Sequence, residues 1–376
     1  MNAARSSAQA SVQPSGQPGA QPGAQPSAKN RAQAFCQRFG MQRPLLLAPM
    51  AGACPPALSI AVAEAGGLGA CGALLMTPPQ ILRWAAEVRA GTAGPFQINL
   101  WLPDPPPVRD AAHEAALRGF LSAWGPPVPP EAGDATPPDF ESQCEALLQS
   151  GAPIVSSVMG LFPPAFVQRL KTAGVHWWAN ISTVAEARAA ESAGADAVVA
   201  QGSEAGGHRG CFDARLAEAQ QVGLFALLPA VVDAVRLPVI ATGGIADARG
   251  VAAAFALGAS AVQIGTGLLR TPEAALPAAW SDALVRAQPE DTLLTRAFSG
   301  RAGRALATDY LIAAAASSAP RPAPYPVQRG LSAAMRQQGA AQNDLHRMQA
   351  WAGQSARLAP ALPAREVMEM LAAGLP

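Results

Sequence analysis

The amino-acid sequence predicts an α/β protein, a TIM-type (β/α)8 barrel with a small helical lid domain. Three observations predict it. Short apolar runs of four or five residues recur along the chain, eight in all. Longer alanine-rich amphipathic segments separate most of them, several opening on proline and closing on glycine as helices do. Finally, two consecutive late runs end in glycines ahead of a helix, the arrangement found at the ends of the last barrel strands. A doubly wound open sheet is the structural alternative, because six strands look the same locally.

The elements follow in order. Residues 1 to about 30 repeat Gln-Pro-Gly-Ala and Gln-Pro-Ser-Ala units and cannot bury enough apolar surface to offset ordering, so residues 1–35 are expected to be a disordered tail. The strand candidates are Leu45–Ala48, Leu68–Cys71, Phe96–Asn99, Ile154–Ser157, Val175–Ala179, Ala197–Ala200, Pro238–Ala241 and Ala261–Ile264. Helix candidates between them are Pro56–Ala65, Pro78–Arg89, Pro163–Ala173, Val184–Ala193, Phe225–Ala234 and Asp247–Leu257. The barrel thus spans 36–270, with a proline-rich insertion at about 103–140 placed over its mouth. Residues 271–350 read as a helical cap, and 351–376 as a C-terminal helix returning to the barrel wall.

Composition excludes several classes of function. Half the residues are hydrophobic and 14% are charged, so a large core is available and disorder of the whole chain is excluded. A formal net charge of +1 provides no field for nucleic acid. Lys29 and Lys171 are the only lysines, one in the tail and one in an amphipathic helix, which argues against Schiff-base catalysis. The five cysteines include no C-x-x-C pair and read as free thiols in a reducing, cytoplasmic setting. The uncharged stretch Gly250–Leu269 breaks into helix, turn and strand, so no membrane span is expected and no signal peptide is evident.

Three glycine clusters carry the chemistry. Gly67-x-Gly69-x-x-Gly72 matches a dinucleotide fingerprint by letter, but a helix precedes it and a strand runs through it, so packing is the expected role. Thr242-Gly243-Gly244-Ile245 and Gln263-Ile264-Gly265-Thr266-Gly267 end successive strands and are suited to a phosphate held by backbone N–H groups. Gln201-Gly202-Ser203-Glu204-Ala205-Gly206-Gly207-His208 puts an imidazole on a flexible loop at the catalytic end, suited to acid–base work near neutral pH. His208 and Cys211 have no nearby third or fourth ligand, so no metal site is expected. His113, His176 and His346 read as solvated or packed.

Together, Ala48-Pro49-Met50-Ala51-Gly52, Gln97-Ile98-Asn99, the glycine-rich His208 loop, Gly243-Gly244-Ile245 and Gln263-Ile264-Gly265-Thr266 resemble the nitronate monooxygenase family. The resemblance runs from about Leu45 to Ala356 and includes Trp351-Ala352-Gly353-Gln354. It implies one non-covalent FMN, with Met50, Ala51 and Gly52 by the flavin ring. Asn99, Gln201 and Gly206 would lie near the cofactor, and Gly244 with Gln263, Ile264, Gly265 and Thr266 at the phosphate. His208 matches the active-site histidine, and Ser299 lies in a Ser-Gly-Arg segment near the substrate. The family chemistry is oxidation of alkyl nitronates with O2 to carbonyl compounds and nitrite. A departure is the segment Ser156-Ser157-Val158-Met159-Gly160, where many members carry an aromatic and a histidine, and Val158 cannot donate a hydrogen bond or shuttle a proton. The rival expectations on the same barrel are a flavin-dependent enoyl-thioester reductase and an NADH:quinone reductase.

Overall fold

The computed structural model describes residues 26–376. Its strands in chain order are β1 (Leu45–Leu47), β2 (Gly69–Gly72), β3 (Phe96–Trp101), β4 (Ile154–Val158), β5 (His176–Ile181) and β6 (Ala197–Gln201). A two-residue β7 (Gly207–His208) follows, then β8 (Val239–Thr242), β9 (Ala261–Ile264), β10 (Thr292–Thr295) and β11 (Gly303–Leu306). Eight of these run parallel in the order β1-β9-β8-β6-β5-β4-β3-β2. A parallel bridge between Leu46 and Leu68 joins the two ends, so the sheet closes as the expected barrel. All eight strand candidates fall on it, and the helices between them wrap its outside.

Local chemistry explains the helix starts. Pro56, Pro78 and Pro164 occupy first helical positions, where a missing N–H costs nothing. Thr77 and Gln80 form a capping box, while Thr183 and Asp247 accept from Glu186 and Gly250 N–H groups. The fingerprint-like glycines are indeed a packing device: strand β2 runs through them, and a Cβ at Gly69 would stand 2.8 Å from the Ser59 carbonyl oxygen.

Strand alternation sorts the core. Leu46, Ile154, Trp178, Ala197, Val199, Ile240 and Ala261 fill the barrel floor, while neighbours such as Leu45, Leu47, Val155, Trp177, Val198 and Val262 face the helices. Phe35, Phe39 and Met41 seal that floor from below. Here the expected 1–35 tail is corrected. Residues 1–25 lie outside the described residues, but Ala28–Phe39 is a helix capped by Ser27 and ended by Gly40. Ala32, Phe35 and Phe39 form its buried stripe, and their spacing was the readable signal.

The cap is corrected as well. Residues 271–350 carry helices Ala278–Arg286, Asp309–Ala314, Val327–Leu331 and Ala333–Ala341, but also the β10–β11 pair. Their core is not their own: Phe298, Tyr310, Leu331 and Met335 pack with Leu117 and Leu121 of the insertion helix Ala111–Leu121. Alanine-rich helices this short lack the apolar area for an independent core. The C-terminal helix is Ala364–Ala372, shorter than expected, and buries Val367, Met368 and Leu371 on the barrel wall. No described helix is long and apolar enough to cross a membrane.

Candidate active site

Above the apolar floor the inward positions become polar. Gln97, Ser156, Asn180, Thr242 and Gln263 are all buried; the last four each lie two positions beyond a floor residue, and Gln97 stands opposite Ile154 in the strand register. Gln97 Nε2 donates to Gln263 Oε1 at 3.1 Å, Ser156 Oγ donates to Gln97 Oε1 at 2.8 Å, and Asn99 Nδ2 donates to Ser156 Oγ at 3.0 Å. This network floors a cavity of about 430 Å³ at the C-terminal mouth of the barrel.

Most of the residues singled out in the sequence line that cavity: Met50, Ala51, Gly52, Asn99, Gln201, Gly206, His208, Gly244, Gln263, Gly265 and Thr266. Ile264 does not. It points outward into the helix-facing core, as alternation after Gln263 requires. Ser299 is also fully buried and stands behind the wall, its Oγ 2.8 Å from His208 Nε2. Gln201 is occupied with the chain itself, since Nε2 donates to the His208 carbonyl and Oε1 accepts from Gly210 N–H. Gln263 likewise spends its amide oxygen on Gln97, which ties the side chain into the polar layer while it lines the cavity.

One end of the cavity is a cradle of backbone. Gly243 and Gly244 have φ of 109° and 71°, and among the described residues none accepts a hydrogen bond from the N–H of Gly244 or Ile245. Gly206 packs against the returning Trp351–Ser355 segment so closely that a Cβ would stand 2.5 Å from Gly353 N. Gly353 N–H donates to Thr266 Oγ1 at 3.0 Å and locks that segment in place.

The other end carries His208 and positive charge. The glycine-rich loop is not free there: β7 pairs with β11, Gly207 opposite Arg304 and His208 opposite Gly303. The imidazole lies between Trp101 and Trp351, with ring centroids 4.8 and 4.9 Å away. It keeps some surface open to the cavity, but the cavity lies deep in the molecule. Burial first, and then the positive charges of Arg329, Arg301 and Arg336, push its pKa down to about 3. The expected imidazole titrating near neutrality is therefore corrected to a neutral one at pH 7.

Arg329 and Arg336 line the cavity, and neither has a carboxylate partner among the described residues. Arg336 is held by Ser332 Oγ, Gln349 Oε1 and the Arg329 carbonyl, and burial lowers its pKa to about 10, leaving it charged. No aspartate or glutamate is among the lining residues. Asn180 Nδ2 and Trp280 Nε1 are buried without acceptors, although both residues line the cavity. Sequence reasoning missed Trp101, Asn180, Arg329 and Arg336. A signal existed for the arginines: no acidic residue occurs between Asp309 and Asp344, so nothing nearby in sequence could neutralise them.

With this geometry in view, comparison with known proteins decides the family. A sequence model described as nitronate monooxygenase matches residues 33–374. The chain belongs to the nitronate monooxygenase family. It is 37% identical over 350 residues to a nitronate monooxygenase of Paraburkholderia phytofirmans, covering 90% of this chain and 94% of the relative. A probable nitronate monooxygenase of Staphylococcus aureus is 33% identical over 339 residues, covering 88% and 94%. Among solved structures, the nitroalkane oxidase from Streptomyces ansochromogenes superposes with a TM-score of 0.81 at 36% identity, covering 91% of this chain and 97% of that one. FabK from Thermotoga maritima superposes at 0.70 with 29% identity, covering 90% and 94%. Membership makes this nitronate monooxygenase homologue an oxidoreductase enzyme, and the barrel mouth is its candidate centre.

Proposed function

We propose that the protein is an FMN-dependent enzyme that oxidises alkyl nitronates with O2 to carbonyl compounds and nitrite. The observation that carries this reading is the carboxylate-free cavity, with neutral His208 beside two unpaired arginines at one end and free backbone N–H groups at the other. An anionic substrate is favoured where positive charge is uncompensated and partly desolvated.

The residues fit a flavin mononucleotide. The Gly243–Ile245 turn, Gly206 and Thr266 make a cradle for one terminal phosphate, and a side chain at Gly206 would push away the Ala352–Gly353 backbone that packs beside it. The orphan amide of Asn180, with Met50, Ala51, Gly52 and Asn99, suits the polar edge and face of a ring system. A flavin, when bound, supplies the electron acceptance and the reaction with O2 that ends in C–N cleavage. The chain's own residues do the rest. Arg329 and Arg336 attract the anion, and Trp101 and Trp351 exclude water around His208. Ser299 occupies Nε2, leaving Nδ1 as the ring's remaining hydrogen-bonding atom. An imidazole held neutral at so low a pKa is a weak base, so preformed nitronates should outperform neutral nitroalkanes at pH 7. The five free cysteines suit a reducing compartment such as the cytoplasm.

The test is a visible spectrum, mass analysis of the released cofactor, and anaerobic mixing with a nitronate or with NADH in separate cuvettes. The reading expects FMN, bleached or altered by the nitronate and not by NADH. Rapid bleaching by NADH alone would favour the reductase readings instead.

A further inference from the structure

Three consecutive residues each make one contact that bears on His208. Ser299 Oγ meets the imidazole Nε2 at 2.8 Å. Gly300 has φ of 90°, and a Cβ there would collide with the backbone nitrogen of Tyr325, so this turn lies hard against that residue. Arg301 is 2% exposed and donates from Nη2 and Nε to the two carboxylate oxygens of Asp104, at 2.6 and 2.9 Å. Its guanidinium carbon also lies 5.7 Å from the centre of the Trp101 ring. Trp101 in turn stacks on Tyr325 at 5.0 Å and meets His208 edge-on. Two routes thus lead from Asp104 to the imidazole, one through Trp101 and one through the Ser299–Arg301 turn.

We propose that Asp104 is a positioning residue for His208 and acts through Arg301. Neither member of the pair lines the cavity, so any effect on a ligand passes through other side chains. The pair joins the segment after β3 to the loop before β11, 197 positions apart in sequence. Buried pairs of this kind often add little net stability, because desolvation cancels the attraction. The two parallel bonds do set an orientation, since a planar guanidinium fits a carboxylate in one plane. Here that orientation fixes the ring beside His208 and the turn that supplies its hydrogen-bond partner.

The inference rests on the reading of His208 as an active-site residue. Its test uses the purified flavoenzyme as Asp104→Asn, Asp104→Glu, Ser299→Ala and the Asp104→Asn/Ser299→Ala double variant. Asp104→Asn is expected to lower kcat ~10–100-fold, as small misplacements at a reacting centre do. KM should stay within about threefold, and Asp104→Glu should recover part of the loss. In the Ser299→Ala background the same change should cost less than about twofold, because both act on one imidazole. The chain has four histidines, so NMR of the imidazole nitrogens gives a second readout. The His208 signals should move in Asp104→Asn while the other three stay. A lower melting temperature with unchanged kcat and unchanged His208 signals would overturn the proposal, as would full additivity with Ser299→Ala. If Asp104→Asn does not fold, Arg301→Lys takes its place in the same cycle, with the same expected and overturning results. Full activity in His208→Asn would remove the reading of His208 itself, and the NMR shift alone would then judge the pair.

Discussion

The two ends of the barrel are built from the same strands and have opposite characters. Trp178 and Asn180, Ile154 and Ser156, Ile240 and Thr242, and Ala261 and Gln263 each stand two positions apart on one strand. The first of each pair belongs to an apolar floor, where Trp178 packs against Phe35 and Phe39 with ring centroids 5.7 and 5.0 Å away. The second belongs to a polar layer that floors the cavity and leaves Asn180 Nδ2 unpaired. One end is held by packing, with the indole N–H of Trp178 buried unpaired inside it, and the other turns its hydrogen-bonding groups towards a cavity. Stability and chemistry are thus divided along each strand, and substitutions at the two ends should fail in different ways.

The largest effect is expected at the polar end. His208→Asn should lower turnover of a nitronate by ~10²–10⁴-fold while the protein keeps its fold and cofactor. Steady-state kinetics with a flavin spectrum check both halves, and full activity would remove His208 from the chemistry. At the apolar end the loss should be of stability instead. Trp178→Ala empties part of the barrel floor and should cost ~3–5 kcal/mol in denaturant unfolding, with the folded fraction still active. Inactive but stable Trp178→Ala protein would break the division between the ends.

A smaller effect is expected at the cradle. Gly206→Ala pushes a methyl group into the Gly353 backbone, so flavin affinity should fall about tenfold or more in an equilibrium titration, with a modest change in melting temperature. The pH dependence sharpens the contrast further. The folded-state pKa of His208 is depressed to about 3 from an ordinary 6.5, so the unfolded chain takes up a proton that the folded chain refuses. The stability this group contributes is present above pH 6.5 and is lost as pH falls from 6.5 towards 3. Relative to His208→Asn, the wild-type protein should lose at most ~1.4 kcal/mol per pH unit across that window. Identical slopes in the two proteins would show that the imidazole is not held neutral. The smallest effect is expected for Asn180→Leu, which removes an amide that already lacks a partner. Stability should change by less than ~1 kcal/mol, or rise, while ligand affinity falls.

Much of the fold was legible because its signals are local. The eight strands, the proline and Thr/Asp helix starts, and the packing role of Gly67, Gly69 and Gly72 all follow from alternation and turn chemistry. The helix Ala28–Phe39 was hidden by the Gln/Pro/Gly-rich repeats before it, although its Ala32, Phe35 and Phe39 stripe is plain once Trp178 is known to need a cover. The lid boundary was misread because a shared core has no signature in either segment, and Leu117 meets Phe298 and Met335 only in space. In the candidate site, His208 and the glycine-rich strand ends were visible as motifs. The neutral state of His208 was not, because it depends on burial and on arginines more than ninety residues away.

By itself, the sequence determined the barrel, the order of its strands along the chain, and the loops that reach its mouth, because each rests on periodicity or on a residue's own conformational preference. The tertiary structure alone decided that β11 would pin His208, that Asp104 would pair with Arg301, and that Arg329 and Arg336 would share the cavity without a carboxylate. Those features are sums of Coulombic and desolvation terms over groups far apart in sequence. Such terms depend on distance and burial in space, which no local pattern encodes.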